Sequence, residues 1–270
     1  MKQRLSTAAS ATILPKAIAI TTLRRRAIPS VAARMCNRVN MTSAKFAAVL
    51  PAGGLGKRMG SSLPKQLIDL GGKPVYRYSL ETFAQMPQIA EVVLAVPADW
   101  KSHFEEDLKV SPFADKIQIV VGGKERWQSV QNGIAALSSN VKFALVHDVA
   151  RPLLSQELIL QVMETLEKKG ACLVARPSVD TVKVVKDGKV ECTIPREKIY
   201  LAQTPQAASV ELFRELYAKI EAEPLAFLPT DEASILEHFG VPVHIVPGDT
   251  LNDKITTPAD LERFRAMLEK

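Results

Sequence analysis

Six short apolar runs, at residues 46–50, 91–97, 116–121, 142–147, 171–175 and 241–246, recur along the chain. Stretches with helical spacing lie between and after them, at 75–85, 125–137, 155–168, 209–221, 231–238 and 258–270. The runs are apolar at nearly every position rather than at alternate ones, so they read as strands buried on both faces. A sheet covered on both faces by helices that alternate with its strands is an α/β architecture, and the predicted fold is a Rossmann-like, mostly parallel sheet. Thr257 and Pro258 open the last helix as N-cap and first helical residue. One segment breaks the alternation. Residues 180–194 switch to period two around Asp187-Gly188, the signature of a tight hairpin. A lone two-stranded ribbon is marginal in water, so a protruding β-hairpin arm over about 177–200 is expected to lean on something, a second subunit being one choice.

Pro51-Ala52-Gly53-Gly54-Leu55-Gly56-Lys57-Arg58-Met59 follows the first predicted strand directly, and Leu63-Pro64-Lys65-Gln66 comes soon after. Glycines at a strand end let backbone N–H groups approach an anion, and fixed cations neutralise it, so this stretch reads as a phosphate cradle. It matches neither the dinucleotide fingerprint nor the P-loop pattern. In open α/β sheets ligands bind beyond the carboxyl ends of the strands. His147-Asp148 occupies such an end, and Asp148 is placed to hold Mg²⁺ against phosphate oxygens; capping of the next helix or a pair with Arg151 are the alternatives. His147 reads as a packed, hydrogen-bonded histidine.

The charge balance is split. Nine of the 35 Lys and Arg, and none of the 29 Asp and Glu, fall in residues 1–45, which leaves 26 against 29 in the remainder, a net −3. The body has no basic surplus, which argues against nucleic-acid binding, and no apolar run reaches the length of a membrane span. Three cysteines, Cys36, Cys172 and Cys192, have no metal-like spacing and suit a reducing compartment. Residues 1–44 are expected to lie outside the fold as a basic extension. An organelle transit peptide, a start placed upstream of Met41, and a basic arm all have this composition. The corresponding locations are a bacterial cytoplasm, or a plastid if the extension is a transit peptide. Residues 45–270 form the predicted functional domain.

Further motifs follow in order: Gly122-Gly123-Lys124-Glu125-Arg126-Trp127-Gln128-Ser129-Val130, His147-Asp148-Val149-Ala150-Arg151-Pro152, Thr204-Pro205-Gln206 and Thr230-Asp231-Glu232-Ala233-Ser234. Together with the glycine loop they resemble the 2-C-methyl-D-erythritol 4-phosphate cytidylyltransferase family over roughly residues 46–268. The resemblance implies transfer of CMP from CTP to a polyol phosphate with release of pyrophosphate, Mg²⁺ as the metal, and a homodimer joined through the arm. It implies Arg58 and Lys65 as the catalytic cations. Nucleotide contacts come from Pro51, Ala52, Gly53, Gly54, Gly56, Gly122, Gly123 and Ser129, and Lys254 joins the phosphate site. Asp148 carries the metal. Asp148, Arg151, Thr181, Arg196, Thr204 and Thr230 serve the substrate, with Thr181 and Arg196 reaching it across the dimer.

Lys124 stands where many relatives carry Asp or Asn. Asp253 stands beside Lys254 where the family has an apolar residue, either tuning the local charge or pointing away. Arg126 reads as structural. A pentitol phosphate cytidylyltransferase shares the glycine loop and the Thr-Pro-Gln; Ala150 before Arg151 and the segment 230–234 are closer to the methylerythritol family. A non-catalytic nucleotide-binding module is the reading from a different class, and the joint presence of Arg58, Lys65 and Asp148 argues against it. The attacking phosphate is already ionised at neutral pH, which accounts for a chain rich in Gly, Lys and Arg at its motifs and lacking a Ser-His-Asp arrangement.

Overall fold

The computed structural model describes residues 45–53, 64–223 and 225–269. The extension 1–44, the loop residues Gly54, Gly56 and Arg58, and Lys57 lie outside the described residues.

Seven strands form the main sheet: β1 (Phe46–Pro51), β2 (Ile89–Val96), β3 (Ile117–Val121), β4 (Phe143–Val146), β5 (Ala171–Pro177), β8 (Tyr200–Ser209) and β9 (His244–Pro247), in the order β3-β2-β1-β4-β8-β5-β9. All neighbours pair in parallel except β8, which runs antiparallel between β4 and β5. The apolar runs account for six of these strands, with β9 starting three residues later than its pattern. The seventh, β8, is absent from the sequence reading. Its residues, Tyr-Leu-Ala-Gln-Thr-Pro-Gln-Ala-Ala-Ser, neither alternate nor form a bulky apolar run, and a proline sits in the middle, which ordinarily demotes a strand. The Thr204–Pro205 peptide is cis, and the ladder to β4 runs from Gln206 to Ser209, clear of the proline.

Successive side chains of β1 enter opposite layers, as the period of two requires. Phe46, Ala48 and Leu50 pack with α1 (Val75–Ala84), α2 (Lys101–Leu108) and α4 (Gln156–Lys169). Ala47 and Val49 pack with α3 (Arg126–Ala136), α5 (Val210–Ala222) and α6 (Glu232–His238). Helix α2 was not expected, because only Phe104 and Leu108 of its eight residues are buried and its periodicity is correspondingly faint. Helix α7 (Pro258–Leu268) opens with a capping box between Thr257 and Asp260 and packs Leu261 and Phe264 on Leu70, Val75 and Ile255.

The ribbon is present as read. Strands β6 (Val182–Lys186) and β7 (Lys189–Ile194) form a separate two-stranded sheet. The turn between them holds Asp187 at φ 48 and Gly188 at φ 74, the left-handed pair that a two-residue hairpin loop needs for its twist to match the strands. At its root Pro177 pairs with Tyr200, and the Ser178 amide donates to the Ile199 carbonyl at 2.9 Å. Val179, Val185, Val190, Tyr200 and Leu201 are exposed along it.

Candidate active site

Strand order reverses direction at β1, whose neighbours are β2 and β4, and a crevice opens beyond the carboxyl ends of the strands at such a point. Of the sequence-predicted residues, Pro51, Ala52, Gly53, Lys65, Gly123, Ser129, Asp148 and Lys254 line one cavity there, together with Lys124, Glu125 and Arg126; among the described residues, Gly122 is not in the lining.

The floor is made of strand ends held tightly. Past β1, the Ala52 amide donates to the Ala95 carbonyl at 2.7 Å, and the Gln66 side-chain amide donates to the Ala52 carbonyl. Past β3, the Gly122 amide donates to the Val96 carbonyl at 2.8 Å. The Ser129 hydroxyl accepts from the Gly123 amide at 3.1 Å and donates to the Glu125 carbonyl at 3.3 Å. A Cβ on Gly123 would lie 2.2 Å from Cβ of Gln128, and one on Gly122 would lie 2.7 Å from Oγ of Ser129. Both glycines are therefore required by close approach to the first turn of α3. That turn is fixed by a capping box in which Glu125, rather than a Ser or Thr, is the N-cap and Gln128 answers it.

The wall is the end of β4. His147 is fully buried. Its Nε2 faces the Arg151 carbonyl at 3.2 Å, which can only accept, so Nε2 carries the proton and Nδ1 accepts from the Thr204 hydroxyl at 2.9 Å. The same hydroxyl accepts from the Asp148 amide at 3.1 Å. Burial drives the imidazole pKa down to about 4, so the ring is neutral. Thr204 thus acts from inside the wall, holding Asp148 by its backbone. Arg151 also turns inward: it donates to the Asn252 carbonyl at 2.8 Å and towards the Ala202 carbonyl at 3.4 Å, and its burial lowers the pKa of the guanidinium. Neither of these two sequence-predicted substrate residues lines the cavity among the described residues.

Asp148 is paired on both oxygens, and with neither of the alternatives read from the sequence. Arg126 Nε donates to Oδ1 at 3.0 Å, and Lys254 Nζ donates to Oδ2 at 2.6 Å. Burial alone would raise the pKa of this carboxyl, but the charges of Arg126 and Lys254 hold it well below the usual carboxylate range. Arg126 turns its other two nitrogens onto Glu232 at 2.8 and 3.0 Å. Glu232 is completely buried; burial raises its pKa, opposed by Arg126. Lys254, Asp148, Arg126 and Glu232 therefore form one chain of alternating charge.

The strap carrying Lys254 is itself pinned. The Asn252 side-chain amide donates to the Thr204 carbonyl at 2.8 Å, and the Ile255 amide donates to the Ala150 carbonyl at 2.8 Å. Lys65 Nζ reaches the Ile255 carbonyl at 3.4 Å. Asp253 points away from the cavity, to Arg176 and Arg263 at 3.4 Å each, which answers how a carboxylate is tolerated beside Lys254. Thr181 and Arg196 sit exposed on the arm, where Arg196 donates to the Val179 carbonyl at 2.9 Å. Thr230 is exposed ahead of α6. These three do not join the cavity lining among the described residues. Glu232 and the fork of Arg126 were missed as site residues. The motif 230–234 held the signal, but the two lie 106 positions apart.

Among the described residues no group of three or more His, Cys, Asp or Glu gathers to hold a metal ion. The single carboxylate of Asp148 fits a hard cation that takes most of its ligands from phosphate and water.

A mostly parallel sheet with its switch point at β1, glycines and lysines beyond the strand ends, and one strand-end carboxylate are the arrangement of a nucleotidyltransferase. The family model described as IspD, 2-C-methyl-D-erythritol 4-phosphate cytidylyltransferase, matches residues 46–270. The chain belongs to that family. The protein of that name from Syntrophus aciditrophicus is 39% identical over 228 residues, covering 84% of this chain and 97% of its own length. Its namesake from Acidobacterium capsulatum is 40% identical over 224 residues, covering 79% and 93%. Among solved structures, 4-diphosphocytidyl-2C-methyl-D-erythritol synthase from Anaerococcus prevotii superposes with a TM-score of 0.73 at 31% identity, covering 83% of this chain and 98% of that one. The Thermus thermophilus cytidylyltransferase gives 0.69 at 29% identity, covering 82% and 98%.

Proposed function

We propose that this chain transfers CMP from CTP to 2-C-methyl-D-erythritol 4-phosphate, forming 4-diphosphocytidyl-2-C-methyl-D-erythritol and pyrophosphate. The observation that carries the reading is the meeting of Lys65, Lys254, Arg126 and Asp148 in one cavity at the strand ends. A phosphate oxygen of the polyol phosphate attacks the α-phosphorus of CTP; one P–O bond forms and the bond to the pyrophosphate oxygen breaks. The nucleophile is ionised at neutral pH, so no base is required. The protein aligns two anions and meets the charge that builds at phosphorus.

In this scheme the backbone of residues 52–56 cradles the triphosphate, with Pro51 closing the strand behind it. Lys65 and Arg58 meet the developing charge, Lys65 at the α-phosphate. Gly122, Gly123 and Ser129 leave room for the ribose and base. Asp148 holds Mg²⁺, which when bound screens the triphosphate and assists the leaving group. Lys254 turns to the phosphate of the second substrate. Thr181 and Arg196 of the partner subunit complete that second site, which requires a homodimer embraced through the arm at about 177–200; the exposed apolar residues of the ribbon support this. Arg151 and Thr204 act on the substrate through Asp148 and the strap, and Thr230 acts from the entrance to α6. Residues 45–270 are the catalytic domain.

A pyrophosphate-release assay with CTP, run side by side with methylerythritol phosphate and ribitol phosphate, tests the reading. Turnover is expected with the first; turnover with the second alone would sink it.

A further inference from the structure

Glu232 stands outside the cavity lining, yet it ends the charge chain that begins at Lys254. It is 0% exposed, at the first position of α6, and both its oxygens are taken by Arg126 at 2.8 and 3.0 Å. The remaining guanidinium nitrogen, Nε, is the one on Asp148. A planar fork that binds one carboxylate with two nitrogens has its third direction fixed. Asp148 thus pairs directly with Lys254 and Arg126, with the charge of Arg151 adding to theirs, and Arg126 has Glu232 as a counter-charge behind it.

We propose that Glu232 is a positioning residue for the metal-bound nucleotide: it fixes Arg126 on Oδ1 of Asp148 and balances its charge, so that the Asp148 carboxylate keeps its attraction for a divalent cation. This rests on the proposed CTP-dependent function and on Asp148 as the metal ligand. With Glu232 neutral, the whole charge of Arg126 bears on Asp148, added to those of Lys254 and Arg151.

The test is calorimetric binding of CTP to the full-length protein with Mg²⁺ and with EDTA, read as the dissociation constant in EDTA divided by that in Mg²⁺. Damage to the nucleotide pocket alone moves both constants together and leaves the ratio unchanged. In Glu232→Gln the ratio is expected to fall about three- to tenfold, the scale of a changed charge near a titrating group, and Glu232→Asp is expected to restore part of it. A Glu232→Gln ratio equal to wild type overturns the proposal and leaves Glu232 as a tie between α6 and α3. Should Glu232→Gln not fold, Glu232→Asp decides: a ratio below wild type supports the proposal and an unchanged ratio overturns it. Wild-type protein that binds CTP no better with Mg²⁺ would instead refute the metal role of Asp148.

Discussion

Lys254 Nζ lies 2.6 Å from Oδ2 of Asp148, joining a lysine after β9 to a carboxylate at the end of β4. The two are 106 residues apart in sequence, and the strap of residues 252–255 is what brings them together. Asp148 also takes Arg126 on its other oxygen, so neutralising this one side chain leaves two cations facing each other.

Asp148→Asn is accordingly expected to lower kcat/KM for CTP by about 10²- to 10³-fold, the loss typical of removing one contact to developing charge. Stability should fall by about 1–3 kcal/mol, because Arg126 and the more solvated Lys254 lose the carboxylate they share. Steady-state kinetics and denaturant unfolding read the two effects separately. Turnover within a few-fold of wild type would remove Asp148 from the mechanism.

Lys254→Met should behave differently. The lysine is partly solvated and Asp148 keeps Arg126 when it is lost, so the melting temperature should move little. If Lys254 serves the second phosphate, KM for the polyol phosphate should rise by about tenfold or more, as expected when a charge-assisted hydrogen bond is lost, while the affinity for CTP stays close to wild type. Equal losses for both substrates would place Lys254 on the triphosphate instead.

Gly123→Ala tests the close approach at the end of β3. Its new Cβ would meet Cβ of Gln128 at 2.2 Å, in the turn that caps α3. A destabilisation of about 1–3 kcal/mol, typical of overpacking, is expected in thermal or urea melts, together with weaker CTP binding. Unchanged stability would mean that the turn opens freely.

His147 predicts a pH dependence. Its folded pKa is about 4, against an unfolded value near ~6.5. A depressed pKa means that the unfolded chain takes up the proton first. The contribution is complete above the unfolded value and is lost as pH falls from there through about 4. The total is on the order of 3 kcal/mol. Urea unfolding at pH 7.5 and 5 should show this decline in wild type and a flatter profile in His147→Gln. The same slope in both would assign the effect elsewhere.

The sheet was legible because six strands are apolar on both faces, and the hairpin because Asp187-Gly188 has few other uses between alternating residues. Strand β8 was hidden by its own composition: Ala207 and Ala208 are fully buried, but small residues and Pro205 give no strand pattern. In the site, the glycines, Asp148 and Lys254 could be found because each follows a strand in the sequence, and Lys65 because it comes after Pro64 soon past the glycine loop. Thr204 and Arg151 were recognised as motif residues, yet their inward orientation depends on hydrogen bonds to Asp148, Asn252 and Ala202 that only the folded chain brings within reach. The pairing of Arg126 with Glu232 belongs to the same class, since the two lie 106 positions apart and only the folded chain brings them together.

Strand β8 runs from Tyr200 to Ser209, with residues 203–205 out of its ladder to β5. Its first residue closes the root of the arm against Pro177, and its fifth, Thr204, grips the amide of Asp148. Those two points are four residues apart, roughly 13 Å along an extended chain. The root of the arm and the hydrogen bond on Asp148 thus share one strand, held by β5 at Tyr200–Ala202 and by both β4 and β5 from Gln206 onward. Whatever fixes the root of the arm therefore lies only four residues of backbone away from the hydroxyl that holds the Asp148 amide.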